Sequence, residues 1–349
     1  MRLLKYLLWL IIGLAGLFLF FLTYSTIDNY TPPPEEIVFT SEQQKPIADS
    51  VFSMVTWNIG YAGLDSSMDF FYDGGKNVRP EKEDVKRNLD KILQTLDMFK
   101  GYDFILLQEV DVRSKRSYRT NMLKKISGSF QGYSSLFGKN YDVAFVPLPL
   151  KEPMGKVVSG LQTLSRQTPA EAVRHSFPGN YAWPTSLFML DRCFLVSRHP
   201  LASGKELVIV NTHNSAYDDG SLRQQQMDYL KDFLLAEYSG GNYVVVGGDW
   251  NQCPAGFIPA FNGEVFDRDE LTFIEEGYPA ASWTWAYDAA IPTNRRVMIP
   301  YTRGKTPTTV IDFFLLSPNI ELIATSGIDI EFTPSDHQPV IMSFKLQHQ

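Results

Sequence analysis

The chain of 349 residues is 44% hydrophobic, 20% charged and 13% aromatic, a globular composition that excludes a disordered, collagenous or coiled-coil protein. Its formal net charge of -7 argues against a broad basic face that grips nucleic acid, while leaving room for a nuclease whose cations are bound metals. Two cysteines, Cys193 and Cys253, are too few for a disulfide framework or a cysteine-rich zinc site.

The first element is a membrane signal. From Tyr6 to Tyr24 no residue carries a charge. At 1.5 Å per residue, ~19 helical residues reach about 28 Å, close to the ~30 Å hydrocarbon core of a bilayer. Arg2 and Lys5 precede the run, which predicts a cytoplasmic amino terminus and an extracytoplasmic remainder. A cleaved signal peptide is the rival reading, but the run exceeds the usual ~7–15 apolar residues and no A-x-A site follows. Residues 1–24 are therefore expected to be a cytoplasmic tip and an uncleaved transmembrane anchor. Residues 25–50, with Pro32 to Pro34 in a row, predict an extended, semi-rigid stalk. Without Arg2 and Lys5 the remainder is more acidic than the whole, so an anionic membrane surface would not attract it.

Residues 51–349 alternate strand-like and helical patterns. Short apolar runs rich in β-branched residues predict strands at 51–58, 103–109, 141–146, 160–165, 192–197, 207–212, 243–248, 310–316 and 338–344. Residues 81–99 place Val85, Leu89, Ile92, Leu96 and Phe99 on one helical face, with Pro80 just ahead. A second helix is expected over 221–238, with Ser221 as its N-cap. Many strands and few helices predict an α/β protein, two packed mixed sheets flanked by helices in a four-layer sandwich.

The informative pattern is where polar residues sit. Asn58, Glu109, His213 and Asp249 end predicted strands, Asn251 follows closely, Asp312 interrupts an apolar one, and Asp336 with His337 opens the last. A rigid sheet presents functional groups to a cleft in this way. Taken singly, an Asn or Asp at a strand end is an ordinary turn former. Asp312 is harder to dismiss, because a carboxylate inside VIDFFLL is expected to be buried and to need a partner.

At these residues the sequence resembles the endonuclease/exonuclease/phosphatase superfamily, which includes deoxyribonucleases, apurinic endonucleases, neutral sphingomyelinases and inositol polyphosphate 5-phosphatases. The resemblance runs through TWNIG (Asn58), LLQEVD (Glu109), GLQTLSR (Gly160, Ser165, Arg166), NTHNSAYD (His213), GGDWNQ (Asp249, Asn251), VIDFFLLS (Asp312) and SDHQPV (Asp336, His337). Any one string is weak; all of them in order over residues 51–346 are specific. The resemblance implies that Glu109 holds a metal with Asn58 beside it and Asp336 contributing. It also implies that Asp249 and Asn251 face the attacking water and the phosphoryl oxygens, and that His337 is held by Asp312. His213 would contact the phosphate or assist the leaving group. Which of His337 and Asp249 takes the proton is left open by the sequence, as is a choice between one metal and two.

The chemistry agrees. One general base supplies roughly 10²–10⁴ in rate, far below what phosphate-ester hydrolysis needs, so a Lewis-acid metal and preorganised donors are required. Oxygen ligands without cysteine favour Mg²⁺, with Mn²⁺ as the alternative. Gly247 and Gly248 are expected to allow a tight turn before Asp249. Weaker features carry mainly structural readings. Cys253 is expected to be a small buried residue, and Trp283 and Trp285 are either packed or a rim. The run Arg113, Lys115, Arg116 and Arg119 reads as a solvated helix face, and the loop after Asn58, from Tyr61 to Gly75, as a candidate cleft wall.

The sequence thus predicts a membrane-anchored, Mg²⁺-dependent phosphoesterase acting on a lipid headgroup, a small phosphodiester or nucleic acid. No further cofactor and no protein partner are evident. An extracytoplasmic nuclease is the alternative within the class; a tethered, non-catalytic binding module is the alternative outside it. A serine hydrolase is excluded by the lack of a G-x-S-x-G elbow.

Overall fold

Strands that read as unbroken apolar runs do so because both of their faces are covered. The computed structural model describes residues 2–216 and 220–347, and in it two sheets lie face to face. The first runs in the order β14 (Ile320–Gly327), β15 (Val340–Leu346), β2 (Val51–Asn58), β3 (Phe104–Asp111), β5 (Gly155–Ser165) and β4 (Ser134–Val146). The second runs β1 (Glu35–Thr40), β6 (Glu171–Ser176), β7 (Cys193–Pro200), β8 (Glu206–His213), β9 (Tyr243–Asp249), β13 (Asp312–Leu316) and β10 (Thr284–Ala286). A short ribbon, β11 (Asn294–Arg295) with β12 (Thr308–Thr309), stands apart from both.

Alternation along each strand divides the core into layers. Phe52, Met54, Phe104 and Leu106 of the first sheet meet Leu207, Ile209, Val245 and Phe314 of the second. Outward, Val55, Trp57, Ile105 and Leu107 pack under α2 (Lys82–Asp97) and α3 (Met122–Ser129). On the opposite side Val208, Val210, Val244 and Val246 pack under α4 (Ser221–Ser239). The expected α/β four-layer sandwich is therefore present.

Each predicted strand has a counterpart, with shifted ends. β4 begins at Ser134, well before the expected 141, and β1, β6 and β14 add to the predicted set. Within the expected stalk, residues 25–27 continue the N-terminal helix and β1 lies against the sheet, pairing antiparallel with β6 from Glu35↔His175 to Thr40↔Glu171. Ser221 is the first residue of α4 and not its cap; Gly220, at φ 97°, takes the cap position. Gly247 and Gly248 form no turn, because both lie inside β9. A Cβ on Gly248 would stand 2.0 Å from the Thr212 carbonyl oxygen, and one on Gly247 2.7 Å from the Phe314 ring, so close approach is what requires glycine there. Trp283 is buried in the core, and Trp285 stacks on Tyr278 and meets Trp250 and Phe313 edge-on, so packing accounts for both. Cys193 and Cys253 are buried free thiols.

Ahead of the sandwich, α1 (Arg2–Ile27) is long and apolar enough to cross a membrane by length and composition. It is exposed almost throughout, with Leu22 its buried residue.

Candidate active site

Topology brings the polar strand ends together. β2 and β3 are parallel, and so are β8 and β9, so all four send their carboxyl ends toward one edge of the sandwich. β13 runs antiparallel to β9 and therefore begins there, with Asp312 opposite Asp249. A buried amide layer ties the sheets just below this edge: Gln108 Nε2 donates to Asn211 Oδ1 at 2.8 Å. Asn211 Nδ2 in turn donates to the carbonyls of Leu107 and Gln162.

Asp249 is the junction. Asn58 Nδ2 donates to its Oδ2 at 2.9 Å, across the two sheets, and the Asn251 backbone N–H donates to its Oδ1 at 2.9 Å. The same Oδ2 lies 3.4 Å from His213 Nε2 and 3.7 Å from His337 Nε2. His337 Nδ1 stands 2.8 Å from Asp312 Oδ2, and the Thr293 hydroxyl accepts from the Asp312 backbone N–H. Ligand atoms of Asp249, Asp312 and His337 all lie within 4.8 Å of one another. The side chains of Asn251 and Asp249 both line the cleft, but strand alternation is not the reason. Asn251 has φ 51°, a turn held by its bond to Asp249 and by Nδ2 donating to the Asn214 carbonyl.

Glu109 and Asp336 form the acidic end. Glu109 sits at φ 57° where the β3–β5 register slips, a bulge that re-aims its carboxylate from the strand into the cleft. Its Oε1 accepts from Asn58 Nδ2 at 3.4 Å. Asp336 is buried, and its carboxylate accepts from the Ser335 hydroxyl at 3.3 Å. Gly60, at φ 48°, leaves space for it: a Cβ there would be 2.8 Å from Asp336 Oδ1. Asn58, Glu109, His213, Asp249, Asn251, Asp312, Asp336 and His337 are thus gathered at one edge, as the motif strings imply.

Burial sets the charges. Burial raises Asp336 to about 7, and Glu109 adds to the rise against the opposing pull of His337. Asp312 is raised to about 6 by burial, again opposed by His337. Burial opposes charge on His337, but Asp312, Asp249 and Asp336 outweigh it and hold the ring well above the usual imidazole range. His213 goes the other way. Burial, with Arg192 and His337 nearby, pushes it well below that range, which leaves a neutral ring. Among the described residues Asp312 Oδ1 and His213 Nδ1 have no hydrogen-bond partner.

Asp336 is buried and Glu109 half-buried, their hydrogen-bond donors among the described residues are the long contacts from the Ser335 hydroxyl and the Asn58 amide, and their ligand atoms are hard oxygens. That donor set fits a divalent cation at Glu109 and Asp336.

Two participants are not signalled by the sequence. Asn294 Nδ2 lies 3.0 Å from His337 Nε2, across 43 residues of chain, in a segment with no motif. Arg116 is not on a solvated face. It is buried, its Nε and Nη2 pair with Asp111, and its guanidinium lies 3.7 Å from the centre of the Tyr61 ring. Burial opposes its charge and Asp111 more than restores it. Arg113 and Arg119 are exposed as expected. Tyr61, Leu64, Phe70 and Tyr72 of the loop after Asn58 do line the cleft, and buried Cys253 lies against Thr309. Tyr217 and Asp218, which close the NTHNSAYD string, lie outside the described residues.

The model of the Endonuclease/Exonuclease/phosphatase family matches residues 55–337. Among solved structures, an endonuclease/exonuclease/phosphatase from Beutenbergia cavernae is 18% identical at a TM-score of 0.58, covering 85% of this chain and 72% of that one. ANGEL2, a 2',3'-cyclic phosphatase solved with adenosine-2',3'-vanadate, is 17% identical at 0.55, covering 89% of this chain and all (100%) of its own. TDP2 from D. rerio, solved with a single-stranded DNA product, is 15% identical at 0.53, covering 85% of this chain and 100% of its own. At these identities the likeness is one of fold. No curated protein matches the chain.

Proposed function

Because the chain belongs to the endonuclease/exonuclease/phosphatase family of metal-dependent phosphoesterases and nucleases, we propose that it is a membrane-anchored phosphoester hydrolase that uses Mg²⁺ or Mn²⁺. The observation that carries this reading is the meeting of Asn58, His213 and His337 on one carboxylate, Asp249, beside buried Asp336 and partly exposed Glu109. In this reading Glu109 and Asp336 hold the cation, with Asn58 beside them. The bound cation would supply Lewis-acid polarisation of a phosphoryl oxygen and neutralise charge that builds there.

The chain's own groups then divide the remaining work. Asp249, fixed by Asn58 and the Asn251 backbone, orients the attacking water. A water oxygen bonds to phosphorus as the ester P–O bond breaks; one water proton passes to Asp249, since the His337 ring already carries its proton, and the departing oxygen takes a proton from solvent water. His337, held by Asp312, carries positive charge toward the phosphoryl group, and neutral His213 donates or accepts at its edge. The amides of Asn58 and Asn251 restrict the water and phosphate to one arrangement.

α1 serves as the anchor in this reading, residues 25–50 link it to the catalytic domain, and Arg2 with Lys5 keeps the amino terminus in the cytoplasm, so the domain faces outward. The test is hydrolysis of bis(p-nitrophenyl) phosphate by the full chain during Mg²⁺ and Mn²⁺ titration, with EDTA and Glu109→Gln as controls. Saturable, metal-dependent release of nitrophenol that falls at least ~100-fold in Glu109→Gln is expected. Turnover unaffected by EDTA or by the substitution would overturn the reading.

A further inference from the structure

The cleft has two unlike halves. Its volume is about 950 Å³, with Glu109, Asp249, Asp336 and His337 on the floor and Val146, Leu148, Met154, Phe188 and Leu190 along one wall. That wall is the open flank of a separate apolar cluster built on Tyr61, Met68, Phe70 and Val157. A small hydrophilic ester does not need such a wall.

The wall runs outward to an apolar lip. Leu148 is 50% exposed, Leu150 84% and Trp183 61%, on the loops that follow β4 and β6. Exposed side chains of this size gathered at a cleft mouth mark a surface that is covered in use. What covers it is shown by α1. Phe21, near the carboxyl end of the apolar helix, stacks on Phe188 with ring centres 5.7 Å apart and meets Phe145 edge-on at 6.1 Å. Trp183 Nε1 donates to Thr26 Oγ1 at 3.3 Å. The end of the helix is therefore seated on the segment after β6 and on the end of β4, beside the lip, and its apolar surface meets that of the cleft at Phe188. A bilayer around the helix would reach the cleft mouth, with Trp183 at the interfacial depth such rings favour.

We infer that the substrate is a membrane lipid phosphoester, with its phosphate on the cleft floor and its aliphatic chain along the Val146–Phe188 wall and out over the lip into the bilayer. This rests on the phosphoesterase reading and names the substrate class of that same site. Burial of a few methylenes at ~0.8 kcal/mol each is enough to favour an acylated substrate over its soluble counterpart at least tenfold.

The experiment uses the full chain reconstituted in phosphatidylcholine vesicles that also carry phosphatidylglycerol and phosphatidic acid, with Mn²⁺ present. Lipid products are read by mass spectrometry. Parallel arms hold the deacylated glycerophosphodiesters, a single-stranded oligonucleotide and bis(p-nitrophenyl) phosphate, and Leu150→Asp and Trp183→Asp accompany the wild type. Neither of these two residues lines the cleft. The inference expects kcat/KM on a lipid at least tenfold above its deacylated form, falling at least fivefold in each variant while nitrophenyl ester turnover stays within twofold. Turnover of the oligonucleotide or deacylated diester at or above the lipid rate, or lipid turnover indifferent to both substitutions, would overturn it and leave the phosphoesterase standing. So would cleavage of the nitrophenyl ester alone. Silence in every arm, equal to an Asp249→Asn control, would instead overturn the phosphoesterase reading.

Discussion

Asp312 makes one good contact, to His337 Nδ1, and has a second oxygen with no partner among the described residues. In the proposed mechanism it sets the tautomer and charge of that ring. Asp312→Asn should lower kcat by about 10²–10⁴ with KM within a few-fold, measured by steady-state hydrolysis; a pure rise in KM would show that it serves binding instead. Gly60 offers a second test. A side chain there meets both an unfavourable φ and Asp336 Oδ1 at 2.8 Å, so Gly60→Ser should raise the half-saturating Mn²⁺ concentration roughly tenfold. Unchanged metal dependence would detach Asp336 from the cation. Asp312 was legible in the sequence because VIDFFLL buries whatever it contains, and a buried carboxylate needs a partner. Asn294 and the burial of Arg116 were not, because their meaning comes from partners that the local sequence does not indicate: His337 across 43 residues, and the ring of Tyr61.

At the scale of elements, the two sheets are held in register beneath the site by amides as well as by apolar packing. Asn211→Leu would remove the side-chain donor to the Leu107 and Gln162 carbonyls and one of the two acceptors of Gln108 Nε2, which keeps Thr56 Oγ1, in a fully buried layer. Each such group costs about 1–3 kcal/mol, so a loss of roughly 2–5 kcal/mol in urea unfolding is expected, with a lower kcat in the surviving fold as β3 and β8 shift. A variant as stable as wild type would show that the layer is incidental. Legibility here followed burial. β9, with YVVVGGD buried throughout, and β13, with DFFLL, read directly as strands because both faces are packed. β14, whose IELIATSG is mostly half-exposed or exposed, lacks that signal, and so does β6, where a buried arginine and histidine break the apolar run EAVRHS. The fold class and the edge that carries the site were thus readable. The packing glycines of β9 and the turn at Asn251 were not, since the first depends on the neighbouring strand and the second on Asn214.

At the scale of the whole molecule, acid should reach the fold through its buried histidines. His199 is fully buried beside Phe104 and Ser197, and burial lowers it to about 3. The unfolded chain takes up a proton there below about pH 6.5 while the native state stays neutral, so this contribution is intact above that pH and is lost as pH falls toward 3. The slope is up to ~1.4 kcal/mol per pH unit. Between pH 6.5 and 5 wild type should therefore lose about 2 kcal/mol more stability than His199→Gln, as read from paired urea titrations; parallel curves would show that the ring is protonated in the native state. The same layered packing that excludes water from His199 also desolvates Asp249, Asp312 and His337, the cluster on which the proposed turnover depends. Its most direct test is kcat for bis(p-nitrophenyl) phosphate at saturating Mn²⁺, compared between wild type and Asp249→Asn, with thermal unfolding recorded on both. The structure predicts a fall of about 10³ or more at nearly equal melting temperature. Equal turnover in the folded variant would contradict it, because among the described residues Asp249 alone joins Asn58, His213 and His337 at one oxygen.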